Sequence, residues 1–167
     1  MPNTLENLKT AFAGESQANR KYLAFSKKAE KDGFPNLAKM FKVIAEAETV
    51  HAHNHLRTMG GVKSTLENLE EAKGGEFYEI TKMYPDMVET AKKEDNKQAE
   101  RTMNFALQTE KIHEKMYEKA INKIKDGKDI DEKVFHFCPV CGCTFEGEDL
   151  PDKCPICSAK KELFIKI

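Results

Sequence analysis

Thr4-Leu5-Glu6-Asn7-Leu8 recurs unchanged 61 positions later as Thr65-Leu66-Glu67-Asn68-Leu69. Both copies begin with the pattern of a capping box, in which Asn3 or Ser64 is the N-cap and the glutamate three positions later bonds back to it. Apolar residues follow each copy at helical spacing, and a second helical run follows each of these. A duplicated helical hairpin predicts an antiparallel four-helix bundle with approximate two-fold symmetry.

Breaks in the helical pattern divide this part of the chain. Asp32-Gly33-Phe34-Pro35 separates the first two predicted helices, Gly60-Gly61 ends the second, and the fourth begins near Asp95. Pro85 lies within the third helix and should kink it, because proline removes one backbone donor and crowds the preceding turn.

Two Glu-x-x-His motifs lie on the second and fourth predicted helices, at Glu48–His51 and Glu110–His113. A glutamate and a histidine three residues apart point the same way from a helix and can hold one metal ion between them. Glu15 and Glu76, which are related by the offset of 61, lie on the apolar faces of the other two helices. Unpartnered buried carboxylates are costly and repel each other, and two bound cations would offset both costs. The set therefore predicts a carboxylate-bridged di-iron or di-manganese site.

The second half of the repeat carries one additional carboxylate. Glu79 occupies the position that is equivalent to Ala18 in the first half, and we add it to the candidate metal ligands. Tyr22 and Tyr84 lie one or two helical turns from candidate ligands. They are either core aromatics whose hydroxyl groups bond to carboxylates, or proton donors at the metals, and both roles can hold together.

All five cysteines lie near the carboxyl end of the chain. Cys138-Pro139-Val140-Cys141 and Cys154-Pro155-Ile156-Cys157 form two Cys-x-x-Cys knuckles, which predict a tetrahedral site for iron or zinc. Cys143 has no knuckle partner and is interpreted as a spare reduced thiol. A small aromatic core around the metal is predicted from Phe135, Phe137, Phe145 and Phe164.

The polar segment at residues 125–129 predicts a domain boundary, with a helical bundle over residues 1–129 and a small metal-bound domain over residues 130–167. The 27 basic and 28 acidic residues nearly balance, so no global charge favours nucleic acid or a membrane surface. No apolar run is long enough to span a membrane. Clustered cysteines without an export signal predict a reducing compartment, the cytoplasm.

These motifs, in this order, resemble the rubrerythrin family over nearly the whole chain. The resemblance implies an all-α, ferritin-like four-helix bundle followed by a small β-type rubredoxin-like domain. The residues that carry it are Ala13-Gly14-Glu15-Ser16-Gln17-Ala18, Glu48-Thr49-Val50-His51, Glu76-Phe77-Tyr78-Glu79, Met83-Tyr84-Pro85, Glu110-Lys111-Ile112-His113-Glu114-Lys115 and the two knuckles.

The resemblance also implies roles for the ligands. Glu15 and Glu76 would each bind chiefly one iron, Glu48 and Glu110 would bridge the two irons, and His113 would be a permanent ligand. One iron would exchange Glu79 for His51 when the pair is reduced. The rubredoxin-like site would hold a third iron at Cys138, Cys141, Cys154 and Cys157, although zinc can replace it in recombinant material. Ser158 stands where free-standing rubredoxins usually have glycine.

The implied activity is that of a non-haem di-iron peroxidase, which reduces hydrogen peroxide to water in defence against oxidative stress. Electrons would reach the pair through the rubredoxin-like iron, from a rubredoxin or an NAD(P)H-dependent reductase. A homodimer is expected, either head-to-tail or with exchanged helices. Two alternatives stay open: a ferroxidase or oxygen-reducing protein, and an iron-buffering protein with a structural zinc ribbon.

Overall fold

The computed structural model describes residues 2–167 and consists mostly of helix. The α-helices are α1 (Thr4–Lys31), α2 (Pro35–Thr58), α3 (Thr65–Tyr78), α4 (Tyr84–Lys93) and α5 (Lys97–Lys125). A π-helical turn, Glu79–Met83, joins α3 to α4. Three short strands follow: β1 (Phe135–Phe137), β2 (Thr144–Glu146) and β3 (Ile165–Lys166). The predicted fold class, four long helical segments followed by a small strand region with the cysteines, is confirmed. Within residues 2–167, no helix combines the length and apolarity needed for a membrane span.

Both predicted capping boxes are present. The Asn3 amide donates to the Glu6 carboxylate at 2.8 Å, and the Glu6 amide donates back to the Asn3 side chain at 2.9 Å. Ser64 and Glu67 repeat this reciprocal pair at the start of α3. Each pair satisfies backbone donors that the first helical turn leaves free, so it fixes where the helix begins.

The chain divides into two compact units, one ending at Lys63 and the other spanning Ser64–Ile167. The domain boundary predicted at residues 129/130 falls within the second unit and stays a prediction. In the first unit, α1 and α2 form a hairpin whose buried residues are small or polar, which lets the two helices approach closely. Ala45 is fully buried, and Asn19 donates to its carbonyl oxygen at 2.7 Å.

The π-helical turn contains the one-residue difference between the two halves of the repeat. The helical segment from Thr65 to Lys93 is one residue longer than α1, whereas both hairpin turns have three residues. The amide of Tyr84 bonds to the carbonyl of Glu79, five residues back, so the turn accommodates one extra residue. Pro85 follows directly in the first turn of α4, where its missing donor costs little. The interruption predicted at Pro85 thus takes the form of a widened turn.

The cysteine module, residues 134–167, is a three-stranded antiparallel sheet in the order β2-β1-β3 with two cysteine knuckles. Its core is the buried trio Cys138, Cys143 and Cys154. Phe145 and Phe164 stack at 4.7 Å between ring centroids and pack against that trio, as predicted for these two of the four phenylalanines. Cys143, the cysteine that belongs to neither knuckle, is therefore a core residue of this module.

Candidate metal centres

The first candidate centre, here called the α1–α2 cluster, consists of Glu15, Glu48 and His51. One ligand atom from each residue lies within 4.8 Å of the others. The closest pair is His51 Nδ1 and a Glu48 carboxylate oxygen, at 2.8 Å. Asn19, one turn after Glu15, donates to the hydroxyl of Thr49 at 2.8 Å and so ties the two ligand-bearing segments together.

The second candidate centre, the α3–α5 cluster, consists of Glu76, Glu110 and His113, which again offer ligand atoms within 4.8 Å of one another. His113 Nδ1 lies 2.6 Å from a Glu110 oxygen and 3.8 Å from a Glu76 oxygen. The offsets found in the sequence therefore correspond to two equivalent clusters. Three of the predicted ligands lie together in each half.

Electrostatics of the α3–α5 cluster favour a bound cation. Burial, together with the nearby charge of Glu110, raises the pKa of Glu76 from 4.5 to about 7, against the opposing effect of His113. Burial also raises the pKa of Glu110. Both carboxylates are thus difficult to ionise without a positive partner, and a divalent ion would supply one. The donor set of carboxylates and imidazole suits iron.

Glu79 lies within electrostatic range of this cluster, because its charge raises the pKa values of Glu76, Glu110 and Tyr84. It is the first residue of the π-helical turn, and Tyr84 closes that turn. For Tyr84, burial is the main cause of the raised pKa, followed by the charge of Glu79. Glu79 and Tyr84, which were each predicted as site residues, therefore lie close to the α3–α5 cluster.

Tyr22 has different neighbours. Its ring lies 6.2 Å from that of Phe25 and 6.3 Å from that of Phe41, measured between centroids, in an aromatic group of the α1–α2 hairpin. This packing agrees with the core-aromatic interpretation. Its function as a proton donor stays a prediction.

Tyr117 was not predicted as a site residue, although it lies on the same face of α5 as Glu110 and His113. Its pKa is raised by burial and then by the charges of Glu76 and Glu110, so its hydroxyl lies near both carboxylates. The sequence could have indicated this position, because Tyr117 follows Glu110 by seven residues and His113 by four, which is the spacing of one helical face.

The third candidate centre brings together the four predicted cysteine ligands, whose sulfur atoms lie within 4.8 Å of one another. Cys138 Sγ is 3.6 Å from Cys157 Sγ, and Cys141 Sγ is 3.5 Å from Cys154 Sγ. Burial raises the pKa of Cys154, but backbone N–H donors from Cys157 and Ile156 outweigh it and bring the value to about 7. Cys154 therefore loses its thiol proton more easily than an ordinary cysteine and can bind a metal ion as a thiolate.

The two knuckles have matching backbone turns. Gly142 follows the first knuckle with φ +85°, and Ser158 follows the second with φ +62°. The amide of each bonds to the carbonyl of the first cysteine of its knuckle, at 2.9 Å in both cases. Ser158 thus adopts a left-handed conformation that favours glycine, at a cost of roughly 1 kcal/mol.

Comparison with known proteins identifies the family. Residues 6–121 match the rubrerythrin family model, and residues 136–165 match the model described as rubrerythrin, rubredoxin-like domain. The chain belongs to the rubrerythrin family. Rubrerythrin-2 of Clostridium acetobutylicum is 38% identical, over 96% of this chain and 95% of its own length. Nigerythrin of Nitratidesulfovibrio vulgaris is 36% identical, over 97% of this chain and 85% of its own length.

Solved structures of nigerythrin are similar to this rubrerythrin family member in fold. The fully reduced, all-ferrous structure has a TM-score of 0.58 and 34% sequence identity, and the match covers 100% of this chain and 88% of that one. Rubrerythrins are iron-binding, di-iron oxidoreductases that use rubredoxin-type electron donors. The glutamate–histidine clusters are the candidate di-iron ligands in this chain, and the four cysteines form its rubredoxin-like iron site.

Proposed function

We propose that this protein reduces hydrogen peroxide to water at a pair of iron ions held by the α1–α2 and α3–α5 clusters. The reaction consumes one peroxide, two electrons and two protons and yields two water molecules. The observation that carries the proposal is the presence of two equivalent three-ligand clusters, together with one additional carboxylate, Glu79, beside the α3–α5 cluster. Two ferrous ions would supply the two electrons.

The ligand roles proposed here are those that the family resemblance implies. Glu15 and Glu76 would each hold chiefly one iron, and Glu48 and Glu110 would be shared between the two irons. His113 is the permanent imidazole ligand, which is supported by its position near two carboxylates and by a side chain that is only 27% exposed.

His51 would be the exchangeable imidazole ligand and would alternate with Glu79. In support, the His51 side chain is 54% exposed and has one carboxylate neighbour, Glu48. A carboxylate favours the harder ferric ion, whereas a neutral imidazole suits the ferrous ion. Exchange between the two ligands therefore follows the charge of the iron.

Tyrosine hydroxyl groups would supply the protons that peroxide reduction consumes. Tyr84, like any tyrosine, keeps its proton at neutral pH, and burial and the nearby carboxylates raise its pKa further, so its hydroxyl group holds a proton beside Glu79. Tyr22 takes the corresponding role for the α1–α2 cluster by its place on the same helix as Glu15.

A complete centre requires both hairpins, because the first supplies three of the seven predicted ligands and the second supplies the other four. We propose a homodimer, arranged head-to-tail or with hairpins exchanged between two copies. Each hairpin, taken by itself, exposes large apolar side chains, including Phe25 and Ile44 on the first and Phe77 on the second. Association would cover such side chains.

Electrons enter at the cysteine module from a rubredoxin or an NAD(P)H-dependent reductase. Nigerythrin has been solved in mixed-valence and all-ferrous states, and we infer the same range of states for this chain. All five cysteines are unpaired, as metal ligation in a reducing compartment requires, and we therefore place the reaction in the cytoplasm.

The test is stopped-flow oxidation of the reduced, iron-loaded protein by peroxide and, separately, by oxygen. We expect faster oxidation by peroxide, and turnover that falls strongly in Glu79→Ala and His51→Ala. Glu89→Ala is the control, because this exposed glutamate of α4 lies outside the clusters. Faster oxidation by oxygen would instead indicate a ferroxidase or oxygen-reducing protein. A colourless cysteine site without turnover would indicate an iron-buffering protein with a zinc ribbon.

A further inference from the structure

Cys143, the cysteine outside both knuckles, lies across the sheet from one of the iron ligands. Strands β1 and β2 pair antiparallel with Phe137 opposite Thr144, so Cys138 and Cys143 are the next pair in this register. The amide of Cys138 donates to the carbonyl oxygen of Cys143 at 2.8 Å, which continues the ladder by one step. Side chains that lie opposite each other in an antiparallel pair project to the same face. The Cys143 thiol therefore faces the same interior as the Cys138 sulfur.

Cys143 also contacts the sulfur atoms of two other ligands. Its backbone N–H donates to the sulfur of Cys141. Its thiol forms a hydrogen bond with the sulfur of Cys154, which also accepts bonds from the backbone N–H groups of Ile156 and Cys157. The Cys143 side chain is fully buried, so water cannot compete for its thiol hydrogen. Cys143 is thus a buried side-chain donor beside the iron ligands.

The thiol of Cys143 stays protonated in this place. Two knuckles complete a four-coordinate site, which leaves no position at the iron for a fifth sulfur. Burial, and then the negative charge of Cys154, raises the pKa of the Cys143 thiol to about 12. A protonated thiol beside a thiolate is a donor, and the thiolate is its acceptor.

We propose that the Cys143 thiol donates a hydrogen bond to the Cys154 thiolate and thereby raises the reduction potential of the iron in the cysteine site. Reduction adds one electron to the ferric ion and makes the four thiolates more negative, without making or breaking a covalent bond. The hydrogen bond is stronger in the ferrous state and so favours that state. Cys143 acts on the iron only through Cys154 and is therefore a positioning residue.

The proposal deepens the function proposed above, and it rests on that function only because the cysteine site is the entry point for electrons there. A higher potential lets this site accept an electron from a weaker external donor. The fifth cysteine would thus hold the entry site in its ferrous form between turnovers.

The main experiment is a redox titration of the iron-loaded protein without peroxide, followed by the colour of the ferric cysteine site. Cys143→Ala removes the donor and should shift the equilibrium between the two states roughly ten-fold toward the ferric ion, which is a potential lower by about 59 mV for one electron. Cys143→Ser keeps a donor and should keep the potential at or above the wild-type value. Because alanine and serine are both smaller than cysteine, the difference between them reports the donor and not the packing.

Thr144→Val is the matched control. The Thr144 hydroxyl also donates to a sulfur atom, that of Met116 at 3.3 Å, but this sulfur is not an iron ligand. Its side chain projects to the other face of the strand from that of Cys143. The potential of Thr144→Val should match that of the wild type. Equal potentials in the wild type, Cys143→Ala and Cys143→Ser would overturn the proposal, and so would an equal fall in both Cys143 variants.

Infrared spectroscopy gives a second readout. With four of the five cysteines bound to iron, Cys143 has the one thiol S–H group of the chain. Its S–H stretching band should move to lower frequency when the iron is reduced, should be missing in Cys143→Ala, and should not move in zinc-loaded protein under the same reductant. A band that stays in place on reduction of the iron would overturn the proposal.

Neither measurement involves peroxide, so the proposed function is tested separately. A protein that shows the potential shift and the band shift but no peroxide turnover would contradict the proposed function and still support the role of Cys143.

Discussion

Replacing Glu76 by glutamine should stabilise the metal-free protein, and only at neutral or alkaline pH. Burial and Glu110 raise the pKa of Glu76 in the folded protein from 4.5 to about 7. Between these values the unfolded chain has released a proton that the folded protein still holds, so rising pH lowers the stability, and above about pH 7 the full penalty is present. Below pH 4.5 both states are protonated and the penalty is absent.

The size of the effect follows from the pKa shift. A shift from 4.5 to about 7 corresponds to an upper bound near 3 kcal/mol. The Glu76 side chain retains 18% of its exposure. Allowing for solvent screening reduces the expected gain to roughly 1–2 kcal/mol at pH 8. At pH 5 most of this gain should be missing.

The assay is denaturant unfolding of chelator-treated protein at pH 5 and pH 8, with Glu89→Gln as the control on an exposed part of α4. Metal should reverse the sign, since Glu76→Gln removes a ligand and reduces the stabilisation that added ferrous ion provides. A gain of equal size at both pH values, or a loss at pH 8 without metal, would show that Glu76 does not carry a desolvated charge in this cluster.

Three further changes test other parts of the molecule. Ser158→Gly should raise the thermal stability of the zinc-loaded protein by roughly 1 kcal/mol, because it relieves a left-handed serine, and an unchanged midpoint would contradict this. Asn19→Ala should cost about 1–3 kcal/mol in unfolding experiments, because it leaves the buried Ala45 carbonyl and the half-buried Thr49 hydroxyl without this donor, and it should weaken metal binding at the α1–α2 cluster, as measured by titration. Tyr84→Phe should slow peroxide turnover on the order of 100-fold at unchanged iron content, whereas an unchanged rate would exclude it as the proton donor.

Much of the helical region could be predicted because its signals are local. The capping boxes at Asn3 and Ser64 depend on a residue and its third neighbour, and both form as expected. The Glu-x-x-His motifs depend on one helical turn, so each brings its own two ligands together. Glu15 and Glu76 were recognisable because duplication placed them at one offset.

The structural features that the sequence did not predict either join residues that are far apart in the chain or have no residue pattern of their own. Thr109 bonds to Cys141, 32 positions away, and no local pattern marks a threonine on an amphipathic helix as the contact of another module. No residue pattern marks a π-helical turn. Because a kink was already expected at Pro85, the sequence provided no separate indication of the π-helical turn at Glu79–Met83. The only trace in the sequence was the change of offset from 61 to 62 between the two halves.

That change of offset connects the fold to the asymmetry of the proposed centre. An extra residue in a hairpin turn would leave the helical faces of the two halves alike. An extra residue inside a helix must instead be accommodated by a wider turn of the helix at that point. Here it is accommodated between Glu79, whose counterpart in the first half is Ala18, and Tyr84, whose counterpart is Tyr22. The backbone bond from the Tyr84 amide to the Glu79 carbonyl places the tyrosine one widened turn beyond the additional carboxylate. Both halves therefore carry a proposed proton donor, Tyr22 or Tyr84, but only the second half carries the additional carboxylate, Glu79, and the widened turn that separates it from the tyrosine.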